Sequence, residues 1–507
     1  MKKLIFLRRS SQIFFLGAFI YVLWSTTYPL KGLLPPETFF KINPLIMILT
    51  SISERIFLTG VASSLSMIFL ALILGRFFCG WICPLGASID IASHFNKKFI
   101  PPGDAANKKI RPVKFYILGL VSVLALIGIQ AAWIFDPMVI MARFVSLNLI
   151  PTVTLIFNDI FVLAIKTFKL YGPVYDLYRQ LKVSLLGAKI FYFSHSGFIF
   201  LFFLSILAGS FFIKRFWCRA ICPLGATYAL AAKFAPLQRE IEKCTRCLEC
   251  KSACRMGAIK DDLGYIKGEC VLCMDCIYDC PAHITRFKFK SKNSERDTPK
   301  TSDTIKNGEI SRKDFLFLLF SSLFLFGFRK GQTLSGEGCV VRPPGALKEE
   351  KFLNSCLRCG NCMKVCITNG LQPVMLQCGL QGIWTPQLVP EIGYCEYNCT
   401  LCGNVCPTNA IPRLSLNEKR NTKLGTAVID RSICLPWAKK SQCIVCQEHC
   451  PVPSKAIKLE SEETGGNNLL RPYIDTYLCI GCGICQNKCP VRPQRAVKVY
   501  PADADRR

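Results

Sequence analysis

The sequence predicts an α-helical membrane bundle joined to two cysteine-rich α+β domains, and three observations support this fold class. Of its 507 residues, 51% are hydrophobic, and the mean hydropathy of +0.32 is more typical of a membrane protein than of a soluble enzyme. The 30 cysteines fall mostly in runs of four. Basic residues lie beside apolar segments, as the positive-inside rule describes. The net charge of +29 therefore indicates membrane orientation rather than a nucleic-acid partner.

The N-terminal half contains about four predicted membrane spans. In chain order these are Ile13–Trp24, Leu58–Phe78, Val113–Phe135 and Ile199–Phe212. The segment 137–195 is apolar but interrupted by prolines and charged residues, so interfacial or external helices are expected there. A shorter apolar run, Phe315–Phe328, predicts a fifth segment that serves as an anchor. Flanking lysines and arginines place the N-terminus and loop 79–112 in the cytoplasm.

The first cysteine-rich stretch has the spacing with which bacterial ferredoxins hold two [4Fe–4S] clusters. Three thiolates at every third position bind one cluster, and the fourth cysteine of each run completes the other. Disulfides rarely join cysteines three apart, and zinc sites use pairs rather than triplets. The predicted ligands are Cys244, Cys247, Cys250, Cys254, Cys270, Cys273, Cys276 and Cys280.

Four further cysteine runs predict four more clusters in the C-terminal region, which gives six [4Fe–4S] clusters in total. Their predicted ligands are Cys356, Cys359, Cys362, Cys366, Cys395, Cys399, Cys402, Cys406, Cys434, Cys443, Cys446, Cys450, Cys479, Cys482, Cys485 and Cys489. We expect nested pairing, in which Cys489 completes the first cluster, Cys366 the fourth, and the two middle runs exchange Cys406 and Cys450. The remaining Cys339 and Cys378 are expected to be structural or free thiols.

A repeated CxxxCP motif ends two of the apolar segments. The copies contain Cys79 with Cys83 and Cys218 with Cys222, each followed by Pro-Leu-Gly-Ala. Cysteines at i and i+4 share one helical face, and proline ends the helix just beyond. The two pairs are therefore expected to converge near the cytoplasmic surface. The alternatives are simple packing, an additional metal or cluster site, and a reversible dithiol.

These features divide the chain into four predicted regions. A transmembrane domain with both CxxxCP motifs covers 1–236, and a cytoplasmic two-cluster domain covers 237–290. A linker and membrane anchor follow over 291–330, and a four-cluster domain occupies 331–507. Both cluster domains are expected to have a ferredoxin-like α+β fold.

The first half resembles the NapH-type membrane quinol dehydrogenases, and the second half, with Arg342-Pro343-Pro344-Gly345-Ala346 and four cysteine runs, resembles the NapG and MauM ferredoxin-type proteins. The resemblance implies a fusion that oxidises a quinol such as menaquinol in the cytoplasmic membrane as part of a respiratory complex. Electrons would pass to a periplasmic cytochrome or reductase. Ser311-Arg312-Lys313-Asp314-Phe315 is similar to a twin-arginine export signal, which would place the C-terminal domain outside.

Quinol oxidation also requires a group that accepts protons, and Asp136, at the outer end of the third predicted span, is the predicted acceptor. Two other functions fit the sequence. In the first, the CxxxCP thiols would bind or reduce copper in the maturation of a metal cofactor, because soft thiolates suit Cu(I). In the second, electrons would flow from a cytoplasmic ferredoxin through the membrane to an external acceptor.

Overall fold

The computed structural model describes residues 2–30, 32, 34–94, 110–168, 172–181, 191–241, 244–282, 284–289, 339–464 and 467–507. The chain forms two compact units, each drawn from several stretches of sequence. The first comprises Met1–Leu23, Glu37–Phe144 and Phe198–Lys330. The second comprises Trp24–Pro36, Val145–Gly197 and Gly331–Arg507. The export-like motif and the short apolar anchor predicted at 311–328 lie outside the described residues.

Helices dominate the membrane-like part of the chain. They are Lys2–Trp24, Thr38–Lys41, Pro44–Glu54, Gly60–Leu74, Phe78–Trp81, Pro84–His94, Val113–Leu126, Pro137–Phe144, Ile150–Phe168, Pro173–Leu181, Ser196–Phe212 and Pro223–Ala232, with 3-10 turns at Ala132–Ile134 and Lys267–Glu269 and π turns at Val145–Leu149 and Trp217–Ile221. Local signals set several ends. Asn43 caps one helix through a bond from the Ile46 amide, and Gly75 and Gly128 end two others with positive φ.

Two of these helices are long and apolar enough to cross a membrane, judged by length and composition among the described residues. They are Lys3–Trp24 and Pro137–Thr167. The other three predicted spans form shorter apolar helices of 14 to 17 residues, below the length of about 20 residues that a comfortable span needs. Length and composition therefore support two spans among the described residues, and the four-span bundle stays a prediction.

The interfacial or external helices expected from residue 137 are instead one continuous helical stretch as far as Phe168. The π turn at Val145–Leu149 explains how Pro151 is accommodated, since the wider turn lies just before a residue without an N–H. Asp159 and Lys166 are exposed on this helix and do not interrupt it.

The first cysteine-rich stretch is closed by a pair of antiparallel strands, β1 (Leu237–Ile241) and β2 (Thr285–Phe289). Leu237 pairs with Phe289 and Ile241 with Thr285, so the two ends of the stretch meet. Between them lie two short helices, Glu249–Ala253 and Asp275–Tyr278, each containing the third cysteine of a run. This is the α+β arrangement expected for a ferredoxin-like domain.

The C-terminal region contains three further strand pairs. Strand β3 (Leu371–Pro373) pairs with β4 (Pro386–Leu388), and β6 (Ile457–Thr464) with β7 (Asn467–Ile474). Strand β5 (Thr426–Ile429) pairs with β8 (Val497–Tyr500), which closes the third and fourth cysteine runs into one module. The helices of this region are Glu349–Ser355, Asn361–Lys364, Gly379–Gly382, Leu401–Asn404, Leu416–Asn421, Leu435–Ala438, Val445–Glu448 and Ile484–Lys488.

Candidate iron–sulfur sites

The first two C-terminal runs form two sets of four thiols. The first set, which lines one cavity, is Cys356, Cys359, Cys362 and Cys406. The second set, which lines another, is Cys366, Cys395, Cys399 and Cys402. In each set, three cysteines come from one run and the fourth from its neighbour in sequence. Short helices at Asn361–Lys364 and Leu401–Asn404 position the third cysteine of each run.

The last two runs form two more sets in the same way. The fourth set, around one cavity, is Cys450, Cys479, Cys482 and Cys485. The third set is Cys434, Cys443, Cys446 and Cys489. Cys434 packs against Cys489 and interacts electrostatically with both Cys443 and Cys489. Cys446 interacts electrostatically with Cys443 and Cys434.

The nested pairing predicted from the sequence is therefore wrong. Cys406 lies with the first run and Cys366 with the second, while Cys450 and Cys489 are exchanged between the third and fourth runs. Closure by strands explains this outcome. Because β5 and β8 pair at the two ends of the third and fourth runs, those runs fold together as one module.

Burial disfavours the thiolate form of these cysteines when no positive partner is present. Loss of hydration raises the pKa of Cys446 to about 12 and that of Cys482 to about 12, and it raises the pKa of Cys362 well above its ordinary value. The neighbouring thiols raise these pKa values further. Sets of buried thiols with this property fit a metal centre, which binds the thiolate form and releases the protons.

The four sets follow one another in space in an order that differs from the sequence. Cys362 of the first set interacts with Cys402 of the second. The amide of Cys395, in the second set, donates to the carbonyl of Cys482, in the fourth, at 2.8 Å. Cys446 of the third set packs in one core with Cys485 of the fourth. The order is therefore first, second, fourth, third.

The N-terminal ferredoxin-like stretch shows the exchange that its spacing predicted. One cavity is lined by Cys254, Cys270, Cys273 and Cys276. Cys250 interacts with Cys244 and with Cys280 of the other run, and Cys247 lies exposed between Cys244 and Cys250 in the chain. Cys250 and Cys276 share one small core, so the two sets are neighbours.

The two CxxxCP pairs meet as expected. All four thiols are buried, and Cys222 interacts electrostatically with Cys79, Cys83 and Cys218. Proline begins a new helix in each copy, at Pro84 and Pro223, rather than only ending the previous one. The amide of Gly225 donates to the Cys222 sulfur at 3.2 Å, and the amide of Gly86 donates to the Cys83 sulfur at 3.5 Å.

Arginines that sequence reasoning missed surround this four-thiol site. Arg76 donates to the carbonyl of Cys218 at 2.8 Å, and Arg215 donates to the carbonyl of Cys79 at 3.0 Å. Each arginine lies three residues before the first cysteine of its own motif and reaches across to the other one. That identical position in both repeats was the available sequence signal.

Asp136 occupies a different structural position from the one predicted. It lies ten residues beyond the end of the helix Val113–Leu126 and caps the helix that starts at Pro137. One carboxylate oxygen accepts from the amides of Met138 and Val139 at 3.0 Å, and the other accepts from Asn43 Nδ2 at 2.7 Å. The carboxylate is fully buried, and its oxygens already have partners.

Cys339 and Cys378, expected to be structural or free thiols, form a disulfide across 39 residues of chain. Together with Glu349 they are the one group of three or more cysteine, histidine or carboxylate ligand atoms within 4.8 Å of one another in the described part of the chain. The disulfide removes both sulfurs as thiolate ligands. This group is therefore a structural crosslink beside a carboxylate.

Comparison with known proteins supports the cofactor class. The 4Fe-4S binding domain family matches residues 56–102 and 196–242, which contain the two CxxxCP motifs, and a second 4Fe-4S binding domain family matches residues 472–493. The matches thus cover the two CxxxCP segments and the last cysteine run of the C-terminal region. No solved structure matches the chain.

Curated relatives show the family. Ferredoxin-type protein NapG of Escherichia coli is 35% identical over 34% of this chain and 74% of its own length. Methylamine utilization ferredoxin-type protein MauM of Methylorubrum extorquens is 34% identical over 33% of this chain and 75% of its own length. Protein NirI of Paracoccus denitrificans is 29% identical over 44% of this chain and 27% of its own length. With its paired cysteine runs and [4Fe–4S] binding sequence, the chain belongs to the ferredoxin-type iron–sulfur electron-transfer family of NapG and MauM.

Proposed function

We propose that this protein is a membrane-bound electron-transfer protein that oxidises a quinol such as menaquinol and delivers the electrons to an extracytoplasmic redox partner. The observation that carries the proposal is the unbroken succession of four-thiol sets in the C-terminal region. Each set shares a contact with the next. A contiguous series of one-electron carriers serves to move electrons over a distance rather than to perform chemistry at one centre.

Six sets would each hold one [4Fe–4S] cluster, four in the C-terminal region and two in the N-terminal stretch. The spacing of the thiols supports this assignment over mononuclear metal. A zinc–thiolate bond of about 2.3 Å brings tetrahedral sulfurs to within about 4 Å of one another. None of the six sets, all of which lie in the described part of the chain, places three sulfurs within 4.8 Å. The cluster supplies one-electron redox chemistry, and the chain supplies its thiolates and its burial.

The exposed faces of the apolar helices support a membrane location. Phe69 is 64% exposed, Leu126 is 68% exposed and Phe212 is 79% exposed. Each lies in or beside a helix that is almost free of charge, and such apolar surface is rarely left to water. Because the two CxxxCP motifs meet, the chain between Cys83 and Cys218 would cross the membrane an even number of times.

The disulfide supports an extracytoplasmic location for the C-terminal region. Disulfides persist in oxidising compartments such as the periplasm and are rare in the reducing cytosol. The crosslink between Cys339 and Cys378 lies at the start of this region. The redox partner of the C-terminal region would then be a periplasmic cytochrome or reductase, and the protein would be part of a respiratory complex.

The surroundings of the sets suggest where electrons enter and leave. The helix Asn361–Lys364, in the first run, packs against the π turn Val145–Leu149 at the start of an apolar helix. Gly360 lies so close to this turn that a Cβ on Gly360 would be 3.0 Å from the side chain of Leu147. The third set lies at the other end of the succession, where Lys439, Lys440 and Arg492 are exposed. Electrons would enter at the first set and leave at the third.

Quinol oxidation releases two electrons and two protons, and clusters accept the electrons one at a time. Asp136 is our proposed proton acceptor, and a variant that moves the carboxylate separates that role from its capping role.

The proposed function is tested anaerobically by adding a reduced menaquinol analogue to the purified protein in mild detergent and recording EPR spectra. Cluster reduction that a quinone-site inhibitor abolishes is expected. Clusters that stay oxidised with quinol yet reduce with a ferredoxin would overturn it in favour of a ferredoxin-fed conduit.

A further inference from the structure

We propose that Cys79, Cys83, Cys218 and Cys222 together hold a single additional iron–sulfur cluster, shared by the two CxxxCP motifs and in electronic contact with the neighbouring ferredoxin-type cluster. Neither motif offers more than two thiols, so neither completes a cluster alone. The inference deepens the proposed function by adding one carrier to it. It rests on the arrangement around the thiols, which has four parts.

The first part is a pair of arginines, each of which binds the opposite motif. Arg76 and Arg215 are both fully buried, and each donates to the carbonyl of the first cysteine of the opposite motif. Glycine is required beside each guanidinium, because a Cβ at Gly225 would clash with Arg76 and one at Gly86 would lie 3.0 Å from the carbonyl of Cys79. Two copies of one motif thus form a single site with approximate two-fold symmetry. Packing alone would not require buried guanidinium groups.

The second part is an excess of buried positive charge. Arg76, Lys114 and Arg215 are buried cations that interact electrostatically with thiols of the site. They pair with only two carboxylates, Glu269 and Asp90. A charge that is buried without compensation is strongly destabilising. Thiolates bound to a cluster are anionic overall, so they supply the missing negative charge.

The third part is a buried hydroxyl without a partner. Tyr228 is fully buried, and its hydroxyl has no hydrogen-bond partner among the described residues. The groups that interact electrostatically with it include the thiols of Cys79, Cys83 and Cys222. A buried hydroxyl that makes no hydrogen bond is destabilising. A cluster sulfur at the centre of the four thiols would give it an acceptor.

The fourth part is direct contact with the ferredoxin-type stretch. Trp81, within the first motif, donates its indole N–H to the carbonyl of Leu272 at 3.0 Å. Gly80 packs on the carbonyl of Val271 so tightly that no Cβ would fit. Val271 and Leu272 lie between Cys270 and Cys273, two thiols of one cluster set. One electron would pass between the two centres, one being oxidised as the other is reduced, with no ligand or proton transferred.

The spacing favours a cluster over a mononuclear zinc ion. Among the described residues, no three of the four sulfurs lie within 4.8 Å of one another, which is wider than a tetrahedral zinc site requires. The six ferredoxin-type sets share this wide spacing.

The test compares metal content in the full-length protein, purified anaerobically. The double substitution Cys79→Ser with Cys218→Ser is expected to lose iron and acid-labile sulfide in equal proportion, together with one Mössbauer component. The matched control, Cys339→Ser with Cys378→Ser, removes two cysteines outside the cluster sets and is expected to keep all its iron. Loss of zinc or copper with unchanged iron would overturn the proposal, as would unchanged metal content.

A conservative variant guards against misfolding of the cysteine variant. Tyr228→Phe leaves every thiol in place and removes only the hydroxyl. Removing a hydrogen bond to sulfur disfavours the reduced cluster, so the redox potential of this one component is expected to fall while iron content and the other components stay unchanged. An unchanged potential would contradict the placement of the cluster. Neither readout depends on quinol, so failure of quinol oxidation leaves this test intact.

Discussion

Asp136 shows how one side chain can satisfy a structural role and still be proposed for a chemical one. Its carboxylate caps a helix through two backbone amides and pairs with Asn43. These hydrogen bonds favour the ionised carboxylate, whereas its complete burial favours the protonated form. A helix cap contributes about 0.5–2 kcal/mol, so capping alone would be enough to place an aspartate there. Stability and proton transfer have to be measured separately.

A carboxylate swap separates the two roles. In the variant Asn43→Asp with Asp136→Asn, each residue can still cap its own helix, and the pair keeps a donor and an acceptor, so thermal stability is expected to change little. If Asp136 accepts the quinol proton, the rate of cluster reduction by quinol is expected to fall by at least about tenfold, in line with the loss of a positioned base. Stopped-flow absorbance measures that rate, and dithionite reduction serves as the control. An unchanged quinol rate would leave Asp136 a structural cap.

Individual ligands also test the pairing of the cysteine runs. Cys406→Ser is expected to remove the same EPR component as Cys356→Ser, because both thiols line one cavity. Cys450→Ser is expected to match Cys479→Ser in the same way. Each variant should lose one cluster's share of iron. Loss of a shared component by Cys406→Ser and Cys443→Ser would instead restore the nested pairing that the structure contradicts.

At the scale of elements, short strands decide which cysteine runs fold together. The pairing of β1 with β2, and of β5 with β8, joins the two ends of a pair of runs. Such two-stranded pairs are marginal alone, so a cluster bound by the thiols of each module would add to its stability. The helix Leu435–Ala438 follows Cys434, so the exposed Lys439 and Lys440 lie beside the third set.

These lysines should matter for transfer to the redox partner. The variant Lys439→Glu with Lys440→Glu is expected to slow electron transfer to an acidic acceptor by about tenfold or more at low salt, with a smaller effect at high salt, because charge steers encounter. The matched control is Lys348→Glu with Lys351→Glu, which makes the same charge change at exposed lysines near the first run. Equal effects of both variants would contradict an exit at the third set.

At the scale of the whole molecule, the two ferredoxin-type regions are proposed to lie in different compartments. A chemical feature supports each location. A disulfide begins the C-terminal region, and basic residues accumulate around the N-terminal one. Because cytoplasmic thiols stay reduced, the disulfide favours an extracytoplasmic C-terminal region, whereas the basic residues favour a cytoplasmic N-terminal one.

Cysteine labelling tests that assignment. Tyr477 is almost completely exposed, and Asp261 is exposed in the N-terminal ferredoxin-like stretch. With Tyr477→Cys, a membrane-impermeant maleimide is expected to label intact spheroplasts. With Asp261→Cys, additional labelling over the unsubstituted protein is expected only after lysis. Labelling of both before lysis, or of neither, would show that the two regions share a compartment.

The sequence by itself determined the cofactor class, the number of cysteine runs and the convergence of the CxxxCP pairs, because these depend on local spacing. Three thiolates at every third position can wrap a cluster wherever the chain places them. Only the tertiary structure decided which run completes which set, why Asp136 is held as a cap, and that residues 137–168 form one helix. It also brought Arg76, Arg215 and Tyr228 to the four-thiol site. The physical reason is that these outcomes depend on contacts between residues far apart in the chain, and local spacing carries no information about such contacts.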